Sequence, residues 1–192
     1  MSPSISEDWF HKFDSEDFYR DAKEVIPDDM PQPIGKPMST YFFEDAYHAS
    51  DKVTRWSQTV LLVFWNREPV MWLSKIQNSV ETSTFGSEFI ALKLTVDLVI
   101  ALQYKLRMFG VPLKGSTDML CENEAVIKNT STPESVLRKK YHSIAYHKCK
   151  ESAAALICLI SKKDTDTNLA DLFTKILGRT TRGWLLNLFT YW

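Results

Sequence analysis

Four acidic residues in the sequence are placed where a metal-binding site could form. Asp45, Glu88, Glu122 and Asp171 each lie at the end of an apolar run or inside one, and each has a distinct local motif around it. A carboxylate beside one apolar stretch is common, whereas four on strand-like and helix-like segments can converge on one site. Oxygen ligands of this kind select Mg²⁺ or Mn²⁺ over zinc. The four residues therefore predict a two-metal nuclease site.

The positions of the four acids within the predicted elements support this interpretation. Asp45 ends a predicted strand and Glu122 directly follows another, while Glu88 and Asp171 lie at the starts of predicted helices. Carboxyl ends of parallel strands gather at one edge of a sheet, where ligands usually bind. Taken singly, each acid has an ordinary alternative as a strand-end residue or a helix N-terminal stabiliser. Together they predict a cluster that needs cations, because like charges raise one another's pKa.

Hydrophobic periodicity predicts a mixed α/β fold around these residues. Apolar residues recur at three- and four-residue steps from Phe85 to Phe109, which predicts a long amphipathic helix ended by Gly110 and Pro112. Two shorter helices follow, and the last helix is predicted to bury Leu169, Leu172, Phe173 and Ile176. The predicted strands are Ser39–Ala46, Gln58–Trp65, Val70–Ile76, Thr117–Cys121 and Leu156–Ser161. This order predicts a five-stranded sheet with three antiparallel strands and two parallel ones, flanked by helices.

Composition limits the classes of protein and of partner. The chain has 192 residues, 44% of them hydrophobic, which suits one domain with extra arms. A net charge of -1 means that nucleic-acid binding would have to come from local basic clusters. Such a cluster could contact phosphates or could be a solvated helix face, and the sequence leaves both open. The densest basic region contains Arg138, Lys139, Lys140, Lys148 and Lys150.

Cysteine usage and the N-terminus indicate an intracellular protein, cytoplasmic or nuclear and not secreted. The three cysteines form no CxxC pair, which argues against a disulfide framework and a cysteine zinc site. The N-terminus has neither the basic nor the apolar region of a signal peptide. The longest apolar run, Val60–Trp65, is too short to span a bilayer. We expect no membrane partner and no small-molecule cofactor.

The two ends of the chain differ in character. Four prolines between residues 27 and 37 predict an extended arm over residues 1–38, with a short helix near Ser15–Val25. The alternative for this arm is a disordered tail. The last residues, 184–192, are unusually apolar. They could cap the core, contact a neighbour, or form an unselected tail.

Five short motifs carry a resemblance to a known family. In chain order they are DAYHA (45–49), WLSKIQ (72–77), STFGSEF (83–89), CEN (121–123) and ADLFTK (170–175). The stretch from Ser39 to Leu177 resembles the ribonuclease H domain at the end of copia-type LTR retrotransposon Pol polyproteins. The resemblance implies a ribonuclease H-like fold and endonucleolytic hydrolysis of the RNA strand of RNA–DNA hybrids. It also divides the chain into a linker from a preceding reverse transcriptase (1–38), the domain itself (39–177) and a hydrophobic tail (178–192).

The resemblance implies roles for the four acids. Asp45, Glu88, Glu122 and Asp171 would bind two Mg²⁺ or Mn²⁺ ions about 4 Å apart, as catalytic and metal-binding residues. Asp45 would contact both ions, Glu88 and Glu122 would each hold one side, and Asp171 would complete the second site. The hybrid and the reverse transcriptase domain of the parent polyprotein would be the partners, and nucleic-acid contacts are expected from Arg138, Lys139 and Lys140.

Several positions depart from the family's pattern. The family normally has Asp where this chain has Glu122, and one added methylene moves the carboxylate by roughly 1 Å, which can cost about 100-fold in rate. Ser50, Trp56, Val60 and Tyr141 also differ from the expected residues. The departures support the hypothesis that the fold persists while the activity is weakened or lost.

Two other functions remain open. One is a catalytically inactive ribonuclease H-like module that holds hybrid or a reverse transcriptase neighbour, and the length of the Glu122 side chain is the feature that discriminates it. The other is an integrase-like nuclease, which shares the fold. An integrase would need a glutamate in place of Asp171 and usually a zinc-binding region before the domain, and the sequence has neither.

Overall fold

The computed structural model describes residues 19–131 and 142–190 of the chain and contains a single five-stranded sheet. The strands are β1 (Thr40–Tyr47), β2 (Gln58–Trp65), β3 (Glu68–Ile76), β4 (Thr117–Cys121) and β5 (Cys158–Lys162). Their order across the sheet is β3-β2-β1-β4-β5. The first three strands pair antiparallel, and β4 and β5 add parallel to β1. The predicted fold class is confirmed.

Helices cover both faces of the sheet. They are α1 (Thr84–Met108), α2 (Glu124–Ser131), α3 (Ser143–Ala154), α4 (Asp171–Thr174) and α5 (Arg179–Thr190). The first three pack on one face, around Phe42, Val63 and Met119, and the C-terminal helix α5 packs on the other. No helix within the described residues combines the length and the apolar character needed to cross a membrane.

The alternation of side chains along β1 gives the sheet two separate cores. Phe42 faces α1 and lies in a cluster with Phe89 and Val96, whereas Phe43 faces the opposite side with Leu185. Successive strand residues point to opposite faces, so neighbours in sequence enter different cores. The same alternation later separates Glu44 from Asp45. The central strand β2 is buried on both faces, which explains its unbroken run of β-branched and aromatic residues.

Helix α1 has a capped start and a defined end. The Ser83 hydroxyl accepts a hydrogen bond from the Gly86 amide at 3.2 Å, which satisfies one of the free donors of the first turn. After Met108 the chain turns at Gly110, whose φ of +69° lies in the left-handed region. Phe109 was predicted to belong to the buried stripe but is largely exposed, because the helix has already ended.

The described part of the proline-rich arm is hydrogen-bonded to the end of α1 and the segment that follows it. The Ile34 amide donates to the Gly110 carbonyl at 2.8 Å, and the Met38 amide donates to Pro112 at 2.9 Å. Both guanidinium nitrogens of Arg107 also contact the Glu24 carboxylate. The predicted helix over 15–25 does not extend through residues 22–25, and residues before 19 lie outside the described part of the chain.

The end of the chain forms two helices where one was predicted. Lys175 has extended backbone angles (φ -115°, ψ 145°), so α4 stops after one turn and α5 begins at Arg179. As a result Ile176 is fully exposed and Phe173 is partly exposed, so their predicted burial is wrong. Residues 184–190 of the apolar C-terminal stretch lie in α5, and Leu185 is completely buried against β1 and β2. Of the three alternatives, α5 therefore caps the core.

We expect that Leu185→Ala destabilises the protein by about 2–4 kcal/mol, because truncation of a fully buried leucine leaves a cavity. Leu186→Ala is the matched control, since the neighbouring leucine is 42% exposed and should change stability much less. Urea unfolding followed by circular dichroism measures both. Equal losses in the two variants would contradict the packing of α5 on the sheet.

Candidate metal centre

The parallel pairing of β1 with β4 brings two of the predicted acids to the same level of the sheet. Phe43 lies opposite Leu120 in this pair, and Asp45 and Glu122 each follow two residues later. Asn123 then starts α2, where its Oδ1 accepts the amides of Ala125 and Val126 at 3.0 and 3.2 Å. The backbone after Glu122 is therefore held by a side-chain cap.

Asn168 places the third acid beside the first. This fully buried residue donates from Nδ2 to the Glu44 carbonyl at 3.0 Å and accepts the Ala170 amide at Oδ1 at 3.1 Å. The two bonds tie the turn before α4 to the backbone of β1. Because Asp171 is the first residue of α4, they set its height above the sheet next to Asp45.

The three carboxylates form one compact group, the carboxylate cluster of Asp45, Glu122 and Asp171. One oxygen from each residue lies within 4.8 Å of the other two. Asp45 and Asp171 are buried and Glu122 is mostly buried. The Thr174 hydroxyl donates to Asp45 Oδ2 at 2.5 Å, which restricts the rotation of that carboxylate. Three elements distant in sequence thus contribute to one site.

Glu88 lies beside the cluster. Gln77 fixes the start of α1, where Glu88 follows Ser87. Its Nε2 donates to Thr59 Oγ1 at 2.9 Å and to the Ser87 carbonyl at 2.8 Å. Burial raises the pKa of Glu88 to about 9, and the negative charges of Asp45 and Glu122 raise it in the same direction. The fourth predicted acid is therefore close enough to interact electrostatically with the cluster, although it is not part of the compact group.

A lysine side chain reaches into the carboxylate cluster. Lys175 Nζ lies 2.6 Å from Asp171 Oδ1, 3.2 Å from Glu122 Oε2 and 3.6 Å from Asp45 Oδ2. Burial alone lowers the pKa of this ammonium, but the hydrogen bond to Asp171 and the three negative charges outweigh burial and raise the pKa above its usual range. A positive charge is therefore held among the three carboxylates.

Two transposon polyproteins are similar to this chain in sequence. Over 137 residues the chain is 28% identical to the retrovirus-related Pol polyprotein from transposon TNT 1-94 of Nicotiana tabacum, covering 71% of this chain and 10% of the relative. For the polyprotein from transposon RE1 of Arabidopsis thaliana, the identity is 26% over 146 residues, covering 76% and 10%. No protein-family model matches the chain.

Among solved structures, the fold matches the N-terminal RNase H domain of a Mycobacterium tuberculosis protein, which was solved as a fusion with maltose-binding protein. The TM-score is 0.51 at 10% sequence identity, over 78% of this chain and 97% of that one. The chain is a homologue of retrotransposon Pol polyproteins and has a ribonuclease H fold. It spans about a tenth of the length of the relatives it matches.

The donor set of this ribonuclease H-like domain fits a hard divalent cation. All the donors are carboxylate oxygens, the ligands that Mg²⁺ and Mn²⁺ prefer. Glu122 Oε1 is buried and has no hydrogen-bond partner among the described residues, so it has coordination capacity to spare. Burial raises the pKa of Asp171 to about 7, and the charges of Glu122 and Asp45 add to this shift while Lys175 opposes it. The site therefore carries unfavourable negative charge that a cation would stabilise.

Glu44 is a buried acid on the other face of β1. The Thr95 hydroxyl of α1 donates to its Oε2 at 3.2 Å, whereas Asp45 contacts Thr174 on the opposite side. Burial raises the pKa of Glu44 to about 8, hydrogen bonds from Cys121 and Thr95 lower it, and the Asp45 charge raises it. At neutral pH this carboxyl group is therefore mostly protonated and uncharged.

The predicted basic region is only partly described. Arg138, Lys139 and Lys140, the proposed nucleic-acid contacts, lie outside the described residues. Lys148 lies 3.8 Å from Asp97 at the surface. Lys150 is buried and its ammonium lies 5.0 Å from the centre of the Tyr146 ring. Neither a phosphate contact nor a solvated helix face describes Lys150, so both interpretations are wrong for that residue.

Three residues of the site carried no functional prediction. Lys175 lies four positions after Asp171, the spacing at which side chains meet on one face of a helix, so the ADLFTK motif contained a signal for their contact. Thr174 could bond Asp45 only after α4 had been placed against β1. Asn168 has no sequence signal of its own, because its role depends on the distant carbonyl of Glu44.

We expect Glu44→Gln to stabilise the protein at high pH. The folded-state pKa is raised, so the contribution of this carboxyl to stability is present below about pH 4.5 and is lost as pH rises through about 8. The free energy of unfolding of the variant should therefore rise relative to that of the unmodified protein between pH 5 and 9, by an amount on the order of a few kcal/mol. Thermal unfolding with a chelator present at each pH measures this.

Glu68→Gln, at an exposed position of β3, is the control for the pH series. The difference in stability between this control and the unmodified protein should stay small across the pH range. If Glu44→Gln also showed no pH-dependent gain, the buried neutral state of Glu44 would be contradicted.

Proposed function

We propose that this domain hydrolyses the RNA strand of RNA–DNA hybrids as part of a copia-type retrotransposon Pol polyprotein. The observation that carries the proposal is the convergence of Asp45, Glu122 and Asp171 from β1, the end of β4 and the start of α4. These carboxylates lie on a ribonuclease H fold, and the homologues are Pol polyproteins from transposons. The fold alone does not determine activity, so the proposal rests on the site.

The acids of the site would hold two Mg²⁺ or Mn²⁺ ions. Asp45, Glu122 and Asp171 provide the compact donor group, and Glu88 would contribute from the start of α1. When bound, such ions generate a nucleophilic hydroxide and stabilise the leaving oxygen of a phosphodiester. The chain's own residues prepare the site: Thr174 orients the Asp45 carboxylate, and Asn168 holds α4 against β1.

The proposed partners are an RNA–DNA hybrid and the reverse transcriptase domain of a parent polyprotein. The arm of residues 1–38 would connect to that neighbour, and Arg138, Lys139 and Lys140 would contact hybrid phosphates, where most nucleic-acid affinity arises. The domain proper would begin at residue 39. We assign α5 to the domain as well, since Leu185 belongs to the core between α5 and the sheet.

Cleavage of a labelled RNA–DNA hybrid tests the proposal. We expect the unmodified chain to cut the RNA strand with Mg²⁺ or Mn²⁺. Asp45→Asn should lose more than about 100-fold, because changes outside the direct ligands already cost roughly 10–100-fold in metal sites. Glu124→Gln is the matched control, since it removes an exposed carboxylate two positions after Glu122 and should leave the rate within about twofold.

The length of the side chain at position 122 gives a second test. Glu122 Oε2 lies 3.2 Å from the Lys175 ammonium. The carboxylate of an aspartate at this position would lie closer to the backbone by about the length of one methylene group. We expect Glu122→Asp to raise the cleavage rate by roughly 10- to 100-fold, the size of a misplacement of about 1 Å. Single-turnover kinetics with saturating Mn²⁺ measure this. An unchanged rate would show that the longer side chain is not what limits the chemistry.

A noncatalytic module is the competing function, and one observation favours it: Glu122 stands in the place of the family's aspartate. A protein that is folded and binds hybrid, but cuts nothing in either metal even as Glu122→Asp, would overturn the catalytic proposal in favour of this alternative. Fluorescence anisotropy with labelled hybrid, measured on the same samples, distinguishes a module that binds hybrid without cutting it from a protein that neither binds nor cuts.

A further inference from the structure

We propose that Lys175 is a built-in counter-ion that competes with divalent cations for the carboxylate cluster and has to leave it when metal binds. The inference rests on the proposed function, because it concerns the metal that this function requires. Lys175 is a positioning residue in this account: it acts on the three carboxylates and makes no contact with substrate.

The geometry of the ammonium group supports this role. Nζ contacts one oxygen from each of Asp171, Glu122 and Asp45, at 2.6, 3.2 and 3.6 Å. An ammonium group carries N–H donors and no acceptor, so it donates hydrogen bonds to Asp171 and Glu122 and forms an ion pair with Asp45. The contacted residues are the same three carboxylates that form the group able to hold a cation. The lysine and a metal ion would therefore share ligands.

Charge explains why an ammonium group is stable among the three carboxylates. The three carboxylates lie close together with Glu88 nearby, and mutual repulsion would spread them apart without a cation. One ammonium offsets part of this repulsion and keeps the carboxylates assembled. It does not neutralise all of them, so a divalent ion in the same place provides a stronger interaction.

The lysine also has a route out of the site. Its side chain is 36% exposed, and the residue lies just after the last turn of α4, in extended backbone. Rotation of the long side chain can therefore carry Nζ into solvent without moving α4 or β1. Metal binding then requires breaking three ionic contacts. This competition raises the metal concentration that is needed to occupy the site.

Removal of this charge separates the proposed role from a purely structural one. If Lys175 only supported the cluster, Lys175→Gln would weaken metal binding or leave it unchanged. If Lys175 competes with metal, the same substitution would strengthen metal binding while it destabilises the metal-free protein. Breaking the contacts between the ammonium and the carboxylates, which metal binding requires, is expected to cost roughly tenfold in affinity at the high effective dielectric of a partly exposed site.

The experiment is a Mn²⁺ titration followed by electron paramagnetic resonance of the free ion. We expect Lys175→Gln to bind Mn²⁺ about tenfold more tightly than the unmodified chain, and to unfold at lower temperature in chelator. Lys162→Gln is the matched control: this exposed lysine pairs with Glu124 at 2.8 Å, outside the cluster, and its removal should change the affinity by less than about twofold. Asp45→Asn should reduce binding.

A measurement on the unmodified chain covers the case in which Lys175→Gln does not fold. Acetylation of lysine amines, quantified by mass spectrometry, should be slow at Lys175 without metal and at least severalfold faster with Mn²⁺, relative to Lys162 in the same sample. This result would show that metal displaces the ammonium from the carboxylates, whereas labelling that Mn²⁺ leaves unchanged would overturn the inference.

The outcomes separate the two proposals. Equal Mn²⁺ affinity in Lys175→Gln and the unmodified chain, with cleavage intact, would overturn the role of Lys175 and leave the proposed function in place. No Mn²⁺ binding by either protein, even with Lys175 removed, would overturn both. Tighter binding by Lys175→Gln without any cleavage would support the counter-ion and count against the nuclease.

Discussion

Repulsion among buried carboxylates is the constraint on which the rest of this structure depends. Asp45 and Asp171 are buried, Glu122 is mostly buried, and burial together with neighbouring charge raises the pKa of both Asp171 and Glu88. Groups whose pKa is strongly perturbed by burial and neighbouring charge cluster at functional sites. The parallel pair β1 and β4, the Asn168 bridge and the short helix α4 all serve to bring these groups together against their repulsion.

The sequence was sufficient to predict the elements whose periodicity is long or unambiguous. The five strands follow from short runs of apolar and aromatic residues, and the long helix α1 follows from apolar residues spaced three and four apart. Asp45 and Glu122 are expected at the same edge of the sheet because they lie at the carboxyl ends of two parallel strands, β1 and β4. These features depend on local patterns repeated over many residues, so a single atypical side chain does not change them.

Other features depend on contacts between distant segments, and no local pattern predicts them. The break at Lys175 separates α4 from α5 and exposes Ile176, although the apolar spacing of the sequence continues through it. Glu44 looks like any strand acid until Thr95 and the helix above it are placed. The contact of Lys175 with Asp171 could be anticipated from their spacing, but its contacts with Asp45 and Glu122 required the whole sheet. Tertiary geometry decides these cases.

The packing of Leu185 against β1 and β2 has a consequence for the inheritance of this gene. Every acid of the site precedes α5, so a premature stop codon between Lys175 and Arg179 would leave all of them encoded. The product would lack α5 and expose Phe43, Val60 and Leu62 to water. Exposed apolar surface of this kind promotes aggregation. A truncation that removes α5 can therefore destroy the folded protein although every acid of the site is still encoded.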